Sequence, residues 1–256
     1  ELLLEGTTSV RRVVLGSSTA VYGEGKYRCG KDGDVYPQPR RVDALERGIW
    51  DPPCPICGGA ITPMVTDESV VRPTSAYGLS KLAQEDLVRL LGERHGIEWI
   101  ILRYGAVQGR AQPFQNAYFG ALRIFALRLA HSQTPQLLED GNQLRDFIDV
   151  DDVARANVAA LAGGRAHTVM DLARILLRVA ERDIVPETPG RYRVGDPRHA
   201  VPDVSRMKAA GWEAQIGLEA MAREYWQWLT AQPNLDTYFE GADHLMERTG
   251  TVRVAR

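Results

Sequence analysis

Tyr77 and Lys81 stand four apart in "SAYGLSKLAQ" (75–84), a stretch with helical character. On a helix that spacing puts both side chains on one face. A phenol ionises near about pH 10, and an adjacent ammonium favours its phenolate, moving such a pair toward a base that works near neutral pH. The same spacing also describes a solvated helix face, so chemistry needs further groups at the same place. One set is the hydroxyls of Ser17, Ser18 and Thr19, which follow the apolar run Val13-Val14-Leu15 and equally suit a plain strand-end turn. Another is the Cys-Pro-x-Cys-Gly knuckle of Cys54 and Cys57, a zinc signature of two thiolates on a turn. Cys29 would be its third ligand and Asp32, three residues later, the fourth. Such a zinc would be structural, bracing a long insert; the alternative is free thiols on a vestigial knuckle.

The elements that would position these groups follow from periodicity. Residues 11–18 read as a short buried strand ending in Gly-Ser-Ser. From 24 to 72 periodicity disappears in a Pro-, Gly- and charge-rich segment holding all three cysteines, too long for a plain connection. A helix follows over 75–95, with Leu79, Leu82, Ala83, Leu87, Leu90 and Leu91 as its apolar stripe and Gly96 as its stop. Residues 97–105 are apolar at nearly every position, as in a doubly covered parallel strand. Then come a helix near 118–131, a short strand, a turn at 140–142, a strand at 147–150 and a helix from about Asp152. Further amphipathic helices cover 170–181 and 218–229. Strand–helix alternation predicts an α/β fold with parallel strands. In such sheets ligands sit at the carboxyl ends of the strands, where Ser18 falls.

Taken in order, S-S-x-x-V-Y-G (17–23), Y-x-x-x-K (77–81), L-R-Y (102–104), D-G-x-x-x-R-D-F-I-x-V-D-D-V-A (140–154) and R-H-x-x-x-D-x-S (198–205) resemble the extended short-chain dehydrogenase/reductase superfamily of NAD-dependent nucleotide-sugar epimerases and dehydratases. The resemblance covers most of 11–230. It implies a Rossmann-like doubly wound parallel sheet with a smaller C-terminal α/β substrate domain. It implies Tyr77 as acid/base, Lys81 on the nicotinamide ribose and Ser18 on the reacting sugar oxygen. Ser17 and Tyr104 would line the NAD site, with Thr19 near the substrate. Arg145 and Arg198 match the diphosphate-binding arginines and Asn116 the amide beside them; guanidinium suits phosphate by its planar fork. The acidic groups at 146 and 149–152 read as turn and cap residues. Dehydratases of the superfamily carry an Asp-Glu pair after the hydroxyl, whereas here Thr19 and Ala20 stand there. The expected reaction is therefore 4-epimerisation of a dTDP- or UDP-hexose, in carbohydrate biosynthesis. The alternatives are NAD(P)H-dependent 4-keto reduction of a dTDP-sugar and a non-catalytic sugar-nucleotide-binding homologue. The cysteine insert resembles the dTDP-L-rhamnose 4-epimerase-like subgroup. Ala106, Gln108 and Arg110 depart from the usual R-Y-x-N-V-Y-G-P, which weakens any inherited sugar specificity.

The implied division is 1–110 for the second half of the NAD-binding domain, with insert 24–72; 111–231 mainly for nucleotide-sugar binding; and 232–256 as a tail. No glycine-rich pyrophosphate loop occurs in the sequence, so residues are expected to be missing before Glu1, and also near 163–165, where one helix runs into the next. A net charge of −2 gives no support for a nucleic-acid partner, and no apolar run reaches a membrane span. Three cysteines fit a reducing compartment, so the cytoplasm is expected. The resemblance implies a homodimer through the Tyr77 helix, with Leu2, Leu3 and Leu4 in its interface or core.

Overall fold

The computed structural model describes residues 10–112, 120–159, 166–193, 195–209, 214–232 and 252–255. Asn116 and Leu2–4 lie outside them. Strand β1 (Arg12–Ser18) pairs in parallel with β5 (Glu98–Tyr104) along its whole length, from Arg12 opposite Glu98 to Ser18 opposite Tyr104. Between them runs α2 (Ala76–His95), part of the crossover connection that parallel strands require. Its limits follow from chemistry. The Ser75 hydroxyl accepts from Gly78 N at 3.1 Å, and Gly96 closes the helix at φ 65°, where a Cβ would be strained.

The leucine stripe of α2 is not its buried face. Gly78, Glu85 and Gly92 pack inward, and Leu79, Leu87 and Leu90 are 56–62% exposed. The reason is close approach: a Cβ on Gly78 would lie 2.5 Å from the Ala20 carbonyl oxygen, so only glycine lets α2 touch the end of β1.

Residues 24–72 form their own small structure. Strand β2 (Tyr27–Cys29) is flanked antiparallel by β3 (Gly33–Val35) and β4 (Ile61–Pro63), with the short helix α1 (Val42–Glu46) between β3 and β4. Strands of three residues are too short to show a period in sequence.

Beyond β5, strand β6 (Ala106–Gln108) pairs in parallel with β7 (Leu144–Asp149), which takes β8 (Ala166–Thr168) antiparallel on its other side. The short strand expected before the 140–142 turn is a single bridge, Gln136 to Glu187. The main apolar core joins α3 (Ala121–Ala130), α5 (Val169–Val179) and α7 (Leu218–Thr230), with Leu122, Phe125, Leu172, Leu176, Met221, Tyr225 and Leu229 nearly inaccessible. Each such side chain contributes about 1.5–3 kcal/mol by leaving water. Helices α4 (Val150–Ala159) and α6 (Ser205–Ala209) complete the described helices. The end of the tail returns to the body: β10 (Val252–Val254) pairs antiparallel with β9 (Arg191–Arg193). No helix among the described residues is long and apolar enough to cross a membrane.

Candidate active site

The register of β1 and β5 brings Ser18 and Tyr104 side by side at the carboxyl edge of the sheet. Ser18 also begins a short 3-10 turn, Thr19–Tyr22, its oxygen accepting from Ala20 N at 3.1 Å. The capping role and a place at the sheet edge thus coexist in one side chain. The contact of Gly78 with Ala20 sets the first turn of α2 against this edge. One helical turn on, Lys81 donates to the Gly16 carbonyl at 3.0 Å. Ser17, Ser18, Tyr77, Lys81 and Tyr104 all line one cavity of 560 Å³, with Tyr77 half exposed to it.

A buried ion pair lies beneath these groups. Ser17 donates to Glu85 at 2.5 Å; Glu85 is inaccessible and also takes Arg103 through two hydrogen bonds, of 2.9 and 2.7 Å, and Arg89 at 3.2 Å. Burial pushes the Glu85 carboxyl up, but Arg103 and the Ser17 hydroxyl outweigh it and hold it below the usual range. The Arg103 guanidinium lies over the Tyr22 ring at 5.0 Å. Sequence reasoning did not single out Glu85 and Arg103. The available signals were an acid seven residues after Gly78 and seven before Gly92, on their helix face, and one cation in a largely apolar strand. Burial pushes the Tyr104 phenol up to about 12, which suits it to be a wall and not a base.

The rest of the cavity is largely apolar, with Ile124, Phe125, Leu137, Leu138, Phe147 and Val169 in its wall, but its charged groups are mostly cations. Arg128, Arg145, Arg191 and Arg193 line it with Lys81, against the single carboxylate of Asp196 among the described residues. Arg191 and Arg193 alternate on β9 around a buried Tyr192, a period-two signal that the sequence carried but that went unassigned. Arg145, on β7, donates to the carbonyls of Leu144, Pro197 and Arg198, each at 2.9 Å.

Two expected ligands lie elsewhere. Thr19 is buried in the 3-10 turn and is not among the cavity-lining residues. Arg198 does not reach the cavity: it is 2% exposed and bound by Glu139 at 2.9 Å, Asp140 at 2.8 and 3.0 Å and Asp51 at 3.0 Å. Its charge is already met by carboxylates, which corrects the expectation of a diphosphate contact there.

In the insert, Cys29, Asp32, Cys54 and Cys57 bring four ligand atoms within 4.8 Å of one another. Asp32 accepts from the thiols of Cys29 at 3.2 Å and Cys54 at 3.1 Å; the Cys29 and Cys57 sulfurs are 3.6 Å apart, in hydrogen-bond contact without a disulfide. Backbone amides of Lys31 and Ile56 point at the Cys29 and Cys54 sulfurs.

A sequence profile of the NAD dependent epimerase/dehydratase family matches residues 57–195. The chain belongs to this family. Its resemblance to a dTDP-L-rhamnose 4-epimerase of Burkholderia thailandensis is 36% identity over 237 residues, covering 88% of this chain and 64% of that protein. The crystal structure of a UDP-glucose 4-epimerase with UDP-glucose from Thermotoga maritima superposes with a TM-score of 0.65 at 24% identity, covering 86% of this chain and 63% of that one. A Thermus thermophilus UDP-glucose 4-epimerase in complex with NAD gives 0.60 at 22%, covering 87% and 65%. These structures share the Rossmann-type α/β fold of the family. The chain spans a little under two thirds of each relative's length.

Proposed function

We propose that the chain carries the sugar-binding and acid/base part of an NAD-dependent nucleotide-sugar 4-epimerase. The observation that carries this reading is the single cavity that joins Ser18, Tyr77 and Lys81 at a sheet's carboxyl edge to a cationic wall suited to a diphosphate. The fit to NAD is confined to the nicotinamide end: Ser17, Tyr77, Lys81 and Tyr104 would hold it, and no glycine-rich loop is present among these residues for its pyrophosphate. NAD held there would supply reversible hydride transfer at sugar C4. The chain's own groups move protons and hold the sugar. The Tyr77 phenol oxygen takes the 4-hydroxyl proton and gives it back, and the Ser18 hydroxyl donates to the same sugar oxygen. Lys81, fixed on the Gly16 carbonyl, holds the ribose and supports a phenolate. Arg145, with Arg191 and Arg193, meets the diphosphate. No carboxylate follows Ser18, so the acid/base pair for elimination is lacking at that position and epimerisation is favoured over dehydration. The likeness to a dTDP-L-rhamnose 4-epimerase supports a dTDP-linked 6-deoxyhexose as substrate. The exposed Leu79, Leu87 and Leu90 of α2 support a homodimer through that helix. Interconversion of C4 epimers from a panel of dTDP- and UDP-sugars, abolished in Tyr77→Phe, is the expected result. Unchanged turnover in Tyr77→Phe, or stoichiometric consumption of NAD(P)H instead of epimerisation, overturns the reading.

We also propose that Cys29, Asp32, Cys54 and Cys57 hold a structural zinc. Tetrahedral zinc with bonds of about 2.3 Å to sulfur and 2.1 Å to oxygen needs S···S edges of about 3.8 Å and S···O edges of about 3.6 Å. The observed 3.6 Å and 3.1–3.2 Å are within a small expansion of that. Metal analysis should find about one zinc per chain; less than about a tenth rejects the site.

A further inference from the structure

The insert that holds the cysteines touches the cavity only indirectly, yet it is fastened to one cavity residue by a short chain of buried contacts. Arg145 is aimed by carbonyls. The oxygens of Pro197 and Arg198 each accept from its guanidinium at 2.9 Å, while its ion-pair partner among the described residues, Asp196, stands at 3.8 Å. Carbonyl dipoles orient a guanidinium without neutralising it, so its charge is kept for an incoming anion. Those carbonyls sit on segment 196–198, and the insert grips that segment from the other side. Arg40 donates to the Asp196 carbonyl at 2.7 Å, and the Glu24 carboxylate accepts from Arg198 N at 2.9 Å. Arg40 is in turn paired with Glu139 at 2.9 Å and Glu24 at 3.5 Å, all three side chains 2–4% exposed. Thr66, after β4, bonds the backbone of Val201 and Asp203, and the Tyr27 ring stands 6.0 Å from that of His199.

We propose that Arg40 and Glu24 are positioning residues for Arg145: the insert clamps segment 196–198, and that segment's carbonyls seat the guanidinium for the substrate's diphosphate. The inference rests on the sugar-nucleotide reading. It also gives the buried charges a purpose, since a buried ion network is a poor source of stability compared with apolar packing.

The test is a double-mutant cycle on the whole chain, read by calorimetric titration with dTDP and UDP, and with thymidine and uridine as probes lacking phosphate. Arg40→Lys keeps the charge but cannot span both the Trp50 and Asp196 carbonyls that Arg40 now holds. Glu24→Gln is the second variant and carries the cycle if the first fails to fold. Each should weaken diphosphate binding about tenfold, leave nucleoside binding unchanged and raise KM with kcat held. In an Arg145→Ala background the same change should cost less than about twofold. Unchanged diphosphate affinity in the variants, or an equal loss with and without Arg145, overturns the positioning role. A wild-type chain that binds neither dTDP nor UDP overturns the sugar-nucleotide reading, and this proposal with it.

Discussion

His199 should act as an acid-sensitive fastener between segment 196–203 and β7. Its Nδ1 accepts from Leu144 N at 2.9 Å, which requires a lone pair and hence an unprotonated nitrogen there. Its side chain is 11% exposed. Burial, then the cations of Arg198, Arg145 and Arg40, bring its pKa from 6.5 to about 4, with Asp51 opposing. Folding therefore favours the neutral ring. As pH falls below 6.5 the unfolded chain takes up the proton first, so this contribution is complete above 6.5 and lost by about 4. At about 1.4 kcal/mol per pKa unit the contribution is about 3 kcal/mol. Asn at 199 keeps an acceptor for Leu144 N but does not titrate. Urea unfolding of wild type and His199→Asn at several pH values between 4 and 7 removes the effect of every other titrating group by difference. The stability difference should shift by about 3 kcal/mol in favour of the variant as pH falls across that window. Parallel profiles would refute the assignment of a neutral, depressed His199.

Other outcomes follow from particular contacts. Gly78→Ala places a Cβ 2.5 Å from the Ala20 carbonyl oxygen, so α2 must move off the end of β1. It should cost about 1–3 kcal/mol and lower turnover more than dTDP affinity; wild-type stability would show the contact to be soft. Glu85→Gln strands the Arg103 guanidinium and should cost about 3–5 kcal/mol in denaturant unfolding, most of it recovered in Glu85→Leu with Arg103→Met. A loss below about 1 kcal/mol would remove Glu85 from that role. Burial raises the Asp146 carboxyl to about 6, so its ionisation costs stability as pH climbs from 3.8 through 6. Asp146→Asn should gain about 3 kcal/mol at pH 8 and nothing near pH 3; equal effects at both would contradict it.

Local chemistry was legible in the sequence wherever it is decided locally. Ser75 and Gly96 mark the ends of α2, the apolar run at 97–105 is β5, and the Cys-Pro-x-Cys-Gly knuckle with Cys29 and Asp32 does converge. What failed depends on distant partners. The leucines of α2 promise a buried stripe, but Gly78 and Gly92 permit a closer approach on another face. The R-H motif cannot tell whether the Arg198 guanidinium meets a phosphate or Glu139 and Asp140, nearly 60 residues away. Arg191 and Arg193 acquire meaning only once β9 is placed beside the cavity.

The two feet of the insert meet. Arg72 N bonds the Val21 carbonyl at 3.0 Å, and Gly23 lies flat against the Arg72 carbonyl. The excursion from 24 to 71 thus leaves and rejoins the chain at one point, where a short turn would close β1 onto α2 with little change in loop entropy. Geometry at the feet makes the module easy to gain or lose during evolution. Its flank does not, because Glu24, Arg40 and Asp51 are the partners of Arg198, Glu139 and Asp196. A descendant that dropped the insert would leave the Asp196 carbonyl, the Arg198 N–H and one Glu139 oxygen without these partners, so the module and the residues it grips should be inherited, or discarded, as one unit.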